Sequence, residues 1–191
     1  MNINPETFLT YPLDVAGLHR ELPVCKVNDN LYIAAFVIFG DVELTTACAA
    51  ELIKKLPPHD ILITAESKGI PLVYEMARQL GENKYLIARK APKLYMKDPH
   101  AVEGQSITTA KKQTLYIDRD DINSMKGKRV VIVDDVISTG GSLASLENLV
   151  RQSGGIVVGK MAILAEGDAI ERKDIICLGK LPLFDGEGKE L

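Results

Sequence analysis

The stretch from Val130 to Ser142, VVIVDDVISTGGS, constrains the fold of this chain more than any other part of it. Four apolar residues predict a buried strand, two aspartates follow, and a Ser-Thr-Gly-Gly-Ser turn leads directly into a helix. A strand–turn–helix unit of this kind is typical of an open α/β sheet, in which ligands bind beyond the carboxyl ends of the strands. The sequence therefore predicts a binding site at this turn.

Strand-like and helical segments alternate along the rest of the chain. Asp41 is a plausible helix N-cap, because Leu44, Cys48 and Leu52 follow it at helical spacing. The alternation predicts an α/β fold with a mostly parallel central sheet flanked by helices. The predicted strands are Val24–Phe39 with a turn at residues 28–30, Asp60–Ala65, Lys84–Arg89, Gln113–Asp118, Arg129–Val133, Ile156–Glu166 and Asp174–Leu178.

The length of 191 residues and a hydrophobic content of 46% predict a single domain with a real core. We divide this domain, residues 1–191, into an N-terminal region of about residues 1–40, a core of about residues 41–178 and a tail of residues 179–191. Residues 90–112 follow neither a helical nor a strand period and contain Pro92, Pro99 and Gly104. This segment is predicted to be a long functional loop.

Composition and charge exclude several classes of function. The formal net charge of −3 argues against nucleic acid as a partner, because such binding depends mainly on phosphate neutralisation. No apolar run approaches the ~18 residues needed to span a membrane, and Met1–Thr10 has no signal-peptide pattern, so we expect a cytoplasmic protein. Cys25, Cys48 and Cys177 lie far apart and are interpreted as buried free thiols, and no metal-ligand spacing is present.

The turn itself has the composition of a phosphate cradle. Glycines let backbone N–H groups approach an anion closely, and the helix N-terminus adds unpaired donors and the positive end of its dipole. The alternative is an ordinary strand-to-helix turn with two solvated aspartates, but the order of thirteen matching positions favours a phosphate site. Carboxylates beside such a cradle suit sugar hydroxyls, so Asp134 and Asp135 indicate a sugar phosphate. The cradle residues are Ser138, Thr139, Gly140, Gly141 and Ser142.

The same stretch resembles the phosphoribosyl-pyrophosphate signature of the type I phosphoribosyltransferases at every position. The resemblance implies that the turn holds the 5′-phosphate and that Asp134 and Asp135, as catalytic residues, contact the ribose hydroxyls. It implies an α/β core with a small N-terminal hood over about residues 1–40. It also implies Mg²⁺ bound through the substrate's pyrophosphate rather than by protein ligands, and a homodimer.

Two basic segments imply a pyrophosphate site. Glu66-Ser67-Lys68-Gly69 follows a predicted strand and resembles the family's short pyrophosphate loop, which often holds a non-proline cis peptide. The Arg-Lys-Ala-Pro-Lys-Leu stretch that begins at Arg89 resembles a pyrophosphate-contacting segment of the purine members. The first segment could instead be an ordinary solvent-exposed turn, and the second an ordinary charged surface. The implied pyrophosphate ligands are Ser67, Lys68, Gly69, Arg89, Lys90 and Lys93.

The remaining assignments concern the lid and the base. Residues 95–112 lie where the family has its mobile catalytic loop, and Glu103 within them is a candidate general acid or base. Phe36, Phe39 and Val136 are the candidate base-binding residues, although such aromatic side chains are more often part of the core.

The resemblance implies transfer of a phosphoribosyl group from phosphoribosyl pyrophosphate to a purine base, releasing pyrophosphate. The Ser-Thr-Gly-Gly-Ser turn favours adenine, whereas Ser106–Gln113 is similar to xanthine-type members. A xanthine or hypoxanthine/guanine transferase is therefore one alternative. An alternative of another class is a non-catalytic regulator that senses phosphoribosyl pyrophosphate. About 23 residues before the first predicted strand are too few for the DNA-binding unit of such repressors.

Overall fold

The computed structural model describes residues 10–103 and 114–191. The strands are β1 Thr10–Val15, β2 Leu18–Asn28, β3 Leu31–Ala34, β4 Ile61–Ala65, β5 Leu86–Ala88, β6 His100–Glu103, β7 Thr114–Ile117, β8 Arg129–Ile137, β9 Ile156–Glu166, β10 Ile176–Leu181 and β11 Leu183–Phe184. The helices are α1 Val42–Ile53, α2 Ile70–Leu80, α3 Arg119–Met125 and α4 Gly141–Gln152, with a 3₁₀ helix at Gly167–Glu171.

A parallel sheet of five strands, in the order β10-β9-β8-β4-β5, forms the centre of the molecule. Alternate residues of β8 enter two apolar layers, as expected for a strand that is covered on both faces. Val131 and Val133 belong to the layer that contains α1 and α2, whereas Val130 and Ile132 belong to the layer that contains α4. The predicted α/β fold with a parallel sheet flanked by helices is confirmed.

Three of the helix boundaries follow from capping residues, of which the sequence predicted Asp41. The Asp41 side chain accepts a hydrogen bond of 3.0 Å from the Leu44 N–H, which caps α1. Pro71 lies in the first turn of α2, and Gly81 ends that helix in the left-handed conformation, with φ of 73°. Helix α3, capped by Asp118, was not among the predicted elements. No helix in the described ranges is long and apolar enough to cross a membrane.

A second sheet joins the N-terminal region to the tail, in the strand order β1-β2-β3-β11. The sequence analysis placed the first strand at Val24, which was wrong: β1 and most of β2 precede it. The two strands meet at Ala16–Gly17, where both residues have positive φ. This two-residue turn lacks the Asn-Gly or Asp-Gly pair that usually reveals a hairpin. Buried Leu13 and Phe184 place the sheet in the same apolar cluster as α1 and α2.

A two-stranded antiparallel ribbon, β6 with β7, forms a third, smaller sheet. The prediction of an uninterrupted loop over residues 90–112 was therefore wrong at β6, whereas the strand predicted next to it is confirmed as β7. The ribbon forms because Val102 and Leu115 face each other and are both buried. Residues 104–113, which contain half of the predicted lid and all of the xanthine-like segment, lie outside the described residues.

Candidate active site

The turn between β8 and α4 encloses a pocket of about 120 Å³. Gly140 precedes the first residue of α4 and has a φ of 78°, a conformation that L side chains rarely adopt. The turn therefore curls so that the N-terminus of the helix faces the pocket, where unpaired N–H groups favour an anion. All five predicted phosphate-binding residues line it, within the set Asp134, Val136, Ile137, Ser138, Thr139, Gly140, Gly141, Ser142 and Leu143.

The two predicted catalytic aspartates lie toward the carboxyl end of β8. Asp135 is 3% exposed, and its backbone N–H donates a 2.9 Å hydrogen bond to Oδ1 of Asp134. The Lys68 ammonium lies 2.8 Å from Oδ2 of Asp135. This contact is an ion pair rather than a well-directed hydrogen bond, because that oxygen has no hydrogen-bond partner in the described part of the chain. The charge of Lys68 thus balances the buried Oδ2 of Asp135.

Burial makes the acid pair unusual electrostatically. It raises the pKa of Asp134 well above its ordinary value, and the neighbouring Asp135 carboxylate raises it further. The Lys68 ammonium acts in the opposite direction, since a nearby cation favours the ionised carboxylate. Two carboxyl groups held side by side in this way are ready to accept hydrogen bonds from hydroxyl groups or to face a cation.

The predicted pyrophosphate loop lies against this acid pair. It begins after β4, and its Glu66–Ser67 peptide bond is cis. A side chain at Gly69 would overlap Oγ1 of Thr64 and would lie 3.1 Å from Oδ1 of Asp134, so only glycine fits there without displacement. Sequence reasoning missed Thr64, which is an ordinary strand residue by pattern. The close packing carries Lys68 to Asp135 and joins two predicted subsites into one site.

The second predicted basic segment is gathered around Glu66, which sequence reasoning also missed. Its carboxylate accepts a 3.1 Å hydrogen bond from the Lys90 backbone N–H and a 3.3 Å hydrogen bond from Arg89 Nη1. Lys93 Nζ lies 3.4 Å from the same carboxylate. The Lys90 N–H and these cations hold the pKa of Glu66 below its ordinary value. The only sequence signal was its position directly before Ser67, Lys68 and Gly69.

The three candidate base-binding residues are not equivalent. The Phe36 side chain is 3% exposed and packs in the apolar cluster with α1 and α2, whereas Phe39 is 50% exposed. Val136 lines the pocket of the phosphate turn. The carbonyl of Phe36 accepts a 3.4 Å hydrogen bond from Lys68, so the segment after β3 contacts the pyrophosphate loop. The role of Phe36, Phe39 and Val136 in binding a purine base stays a prediction.

Glu103 is the last residue of β6, and its backbone pairs with Thr114 in the ribbon. Because residues 104–113 lie outside the described residues, its acid–base role stays a prediction. The backbone of the ribbon also pairs with Arg89 through Tyr116, at 2.8 Å in both directions. This contact places the ribbon, which includes part of the predicted lid, next to the basic segment that begins at Arg89.

Comparison with known proteins identifies the family. The phosphoribosyl transferase domain family matches residues 44–180. A hypoxanthine/guanine phosphoribosyltransferase of Methanotorris igneus is 31% identical over 90% of this chain and 82% of its own length. An adenine phosphoribosyltransferase of Gluconobacter oxydans is 31% identical, over 91% of this chain and 96% of its own length.

Structural comparison agrees with the sequence matches. The crystal structure of adenine phosphoribosyltransferase from Thermoanaerobacter pseudethanolicus is similar, with a TM-score of 0.61 and 26% identity, over 75% of this chain and 84% of that chain. The fold, the phosphate turn and the two sequence matches lead to one conclusion: the chain belongs to the phosphoribosyltransferase family.

Proposed function

We propose that the protein transfers the 5-phosphoribosyl group of phosphoribosyl pyrophosphate to a purine base, with adenine as its preferred base. The bond from C1 of the ribose to the pyrophosphate oxygen breaks, a bond from C1 to a ring nitrogen forms, and that nitrogen releases its proton. The observation that carries the proposal is the meeting of a phosphate turn, a buried acid pair and a basic cluster at one edge of the sheet.

Each part of the site has a role in this reaction. The turn between β8 and α4 binds the 5′-phosphate, and Asp134 and Asp135 accept hydrogen bonds from the ribose hydroxyls. Lys68, Arg89 and Lys93 stabilise the charge that develops on the departing pyrophosphate. Fixing both ends of the sugar orients C1 toward the base, so much of the rate enhancement comes from positioning.

Magnesium fits this site as an ion carried mainly by the substrate. Among the described residues, no group of three or more potential ligand side chains comes together. The acid pair offers two carboxylates, and Mg²⁺ is usually bound by one or two carboxylates together with substrate phosphates and water. Asp134 and Asp135 are the residues that would face the ion, which would neutralise charge on the pyrophosphate.

The preferred base is the part of the proposal that needs a direct test. The experiment offers adenine, hypoxanthine, guanine and xanthine separately with phosphoribosyl pyrophosphate and Mg²⁺, and measures pyrophosphate release. Turnover with adenine, faster than with the others, is the expected result. Preference for a 6-oxopurine would reassign the base, as the relative from Methanotorris igneus suggests. Binding without turnover on any base would favour the sensor class instead.

We also propose that the protein is a cytoplasmic homodimer. Four apolar side chains in the segment after β3, in α1 and in α2 are at least half exposed, namely Val37, Phe39, Val42 and Tyr74. Val42 and Tyr74 line one surface cavity, and exposed apolar surface of this kind suits a protein interface. The three cysteines are free, which agrees with a reducing compartment. The expectation that all three are buried was wrong, because Cys25 is exposed and Cys177 is half-buried. Light scattering of the eluted protein should give twice the chain mass, and Val42→Asp should lower that value.

A further inference from the structure

Arg172 reaches the phosphate turn from a different part of the chain. It directly follows the 3₁₀ helix Gly167–Glu171, between β9 and β10. An ideally placed Cβ on Gly140 would lie 2.9 Å from Nη1 of Arg172. The guanidinium therefore occupies the space beside Gly140 that a side chain would fill, so the absence of a side chain there lets a cation approach the turn closely.

The orientation of this guanidinium is fixed by Asp174. Nε of Arg172 donates a 3.0 Å hydrogen bond to Oδ1 of Asp174, and Nη2 donates a 2.8 Å hydrogen bond to Oδ2. These bonds raise the pKa of the Arg172 guanidinium above its ordinary value. Nη1 has no hydrogen bond within the described ranges, and this is the nitrogen that lies at the turn. Its N–H groups are free to donate to a ligand.

The Arg172–Asp174 pair is itself tied to the helix that begins at the turn. Lys160 Nζ lies 2.7 Å from Oδ2 of Asp174 and 2.8 Å from Oε1 of Glu147, a residue of α4. Arg151 of the same helix also pairs with Glu147, at 3.2 Å. Three cations thus share two carboxylates, which leaves one positive charge uncompensated. The network couples Arg172 to α4 rather than leaving it as a free surface side chain.

The turn itself supplies only neutral donors to a phosphate. Residues 138–143, STGGSL, contain hydroxyls and backbone N–H groups but no lysine or arginine. The cations Lys68, Arg89 and Lys93 are paired with Asp135 and Glu66. A phosphate monoester carries close to two negative charges at neutral pH, so a cation at the turn would strengthen its binding considerably.

We propose that Arg172 binds the same phosphate monoester as the turn, donating from Nη1, with Asp174 and Lys160 as its positioning residues. This inference rests on the proposed function, because it takes the turn as the 5′-phosphate site. Arg172 acts at the 5′ end of the substrate and not on the pyrophosphate. Removing the charge of Arg172 should therefore weaken binding of the 5′-phosphate and leave binding of the pyrophosphate unchanged.

The test titrates ribose 5-phosphate and, separately, pyrophosphate with Mg²⁺ into wild type and Arg172→Gln by calorimetry. Loss of a charge-assisted hydrogen bond should raise the Kd of ribose 5-phosphate about tenfold. The Kd of pyrophosphate should stay unchanged, and the effect should shrink at high salt. Arg151→Gln is the matched control, because it removes a charge from the same network at the far end of α4 and should leave both Kd values unchanged.

Two results would overturn the inference. One is an unchanged Kd of ribose 5-phosphate in Arg172→Gln. The other is equal weakening of both ligands, which would give Arg172 a purely structural role. If Arg172→Gln fails to fold, Arg172→Lys carries the same comparison, since lysine can pair with Asp174 but has no second terminal nitrogen. Failure of wild type to bind ribose 5-phosphate would contradict the proposed function itself.

Discussion

Burial of Asp134 has an electrostatic cost, because its ionised carboxylate destabilises the folded protein. Burial and Asp135 raise the pKa of Asp134, so the folded protein binds this proton more tightly than the unfolded chain does. The corresponding stabilisation is fully present below the unfolded pKa and is lost as the pH rises through the folded pKa. At alkaline pH the free protein therefore holds two charged carboxylates close together, and Lys68 offsets them in part.

Asp134→Asn should remove this cost while keeping an oxygen that accepts the Asp135 N–H. We expect the Tm of the variant, without ligand, to exceed that of wild type at pH 8 by more than it does at pH 5. Thermal melts at the two pH values measure this. Asp120→Asn, an exposed position on α3, is the control and should show no such difference. A difference with the opposite sign would contradict the raised pKa.

Gly69 is a position where space, not backbone conformation, demands glycine. Its φ of −70° suits any residue, but a Cβ would overlap Thr64 and lie 3.3 Å from Cα of Asp134. Gly69→Ala should therefore cost about 1–3 kcal/mol of unfolding free energy and weaken pyrophosphate binding. Urea unfolding measures the first effect.

Gly141→Ala serves as the control for stability at Gly69, because its Cβ would meet Thr139 Oγ1 at an ordinary 3.9 Å. Alanine is the better helix former, so this variant should be at least as stable as wild type. Equal stability of Gly69→Ala and wild type would show that the loop can move away from Asp134 without cost.

At the scale of elements, the sheet that joins both ends of the chain depends on β11. Phe184 is 5% exposed, and its ring makes an edge contact with Tyr11, with ring centroids 5.7 Å apart. Phe184→Ala should lower the free energy of unfolding by about 3–5 kcal/mol. Urea unfolding should show no comparable loss of free energy for Leu191→Ala, because Leu191 is 73% exposed. Equal losses would mean that β11 does not anchor the N-terminal sheet.

The elements differ in how far the sequence predicted them. Strands β4, β8 and β9 were predictable because each contains a run of apolar residues, and the phosphate turn because its residues are contiguous. The hairpin β1–β2 and helix α3 were missed because short, polar elements leave a weak periodic signal. Arg172 and Glu66 were missed as site residues for another reason. Their positions depend on contacts across the fold, which no local pattern records.

At the scale of the whole molecule, the parallel sheet brings three distant segments to one edge. Strands β4, β5 and β8 lie side by side and are parallel, so the loops after them meet although the strands end at Ala65, Ala88 and Ile137. We propose that this edge, by aligning the three loops on one substrate, catalyses phosphoribosyl transfer.

The most direct test compares wild type with the double variant Asp134→Asn/Asp135→Asn, following adenosine monophosphate and pyrophosphate formed from adenine, phosphoribosyl pyrophosphate and Mg²⁺. Wild type should form the two products in equal amounts, and the double variant should be slower by roughly two orders of magnitude or more while retaining its fold by circular dichroism. Wild-type protein that binds phosphoribosyl pyrophosphate but forms no nucleotide from any purine, or a double variant with full activity, would contradict the account.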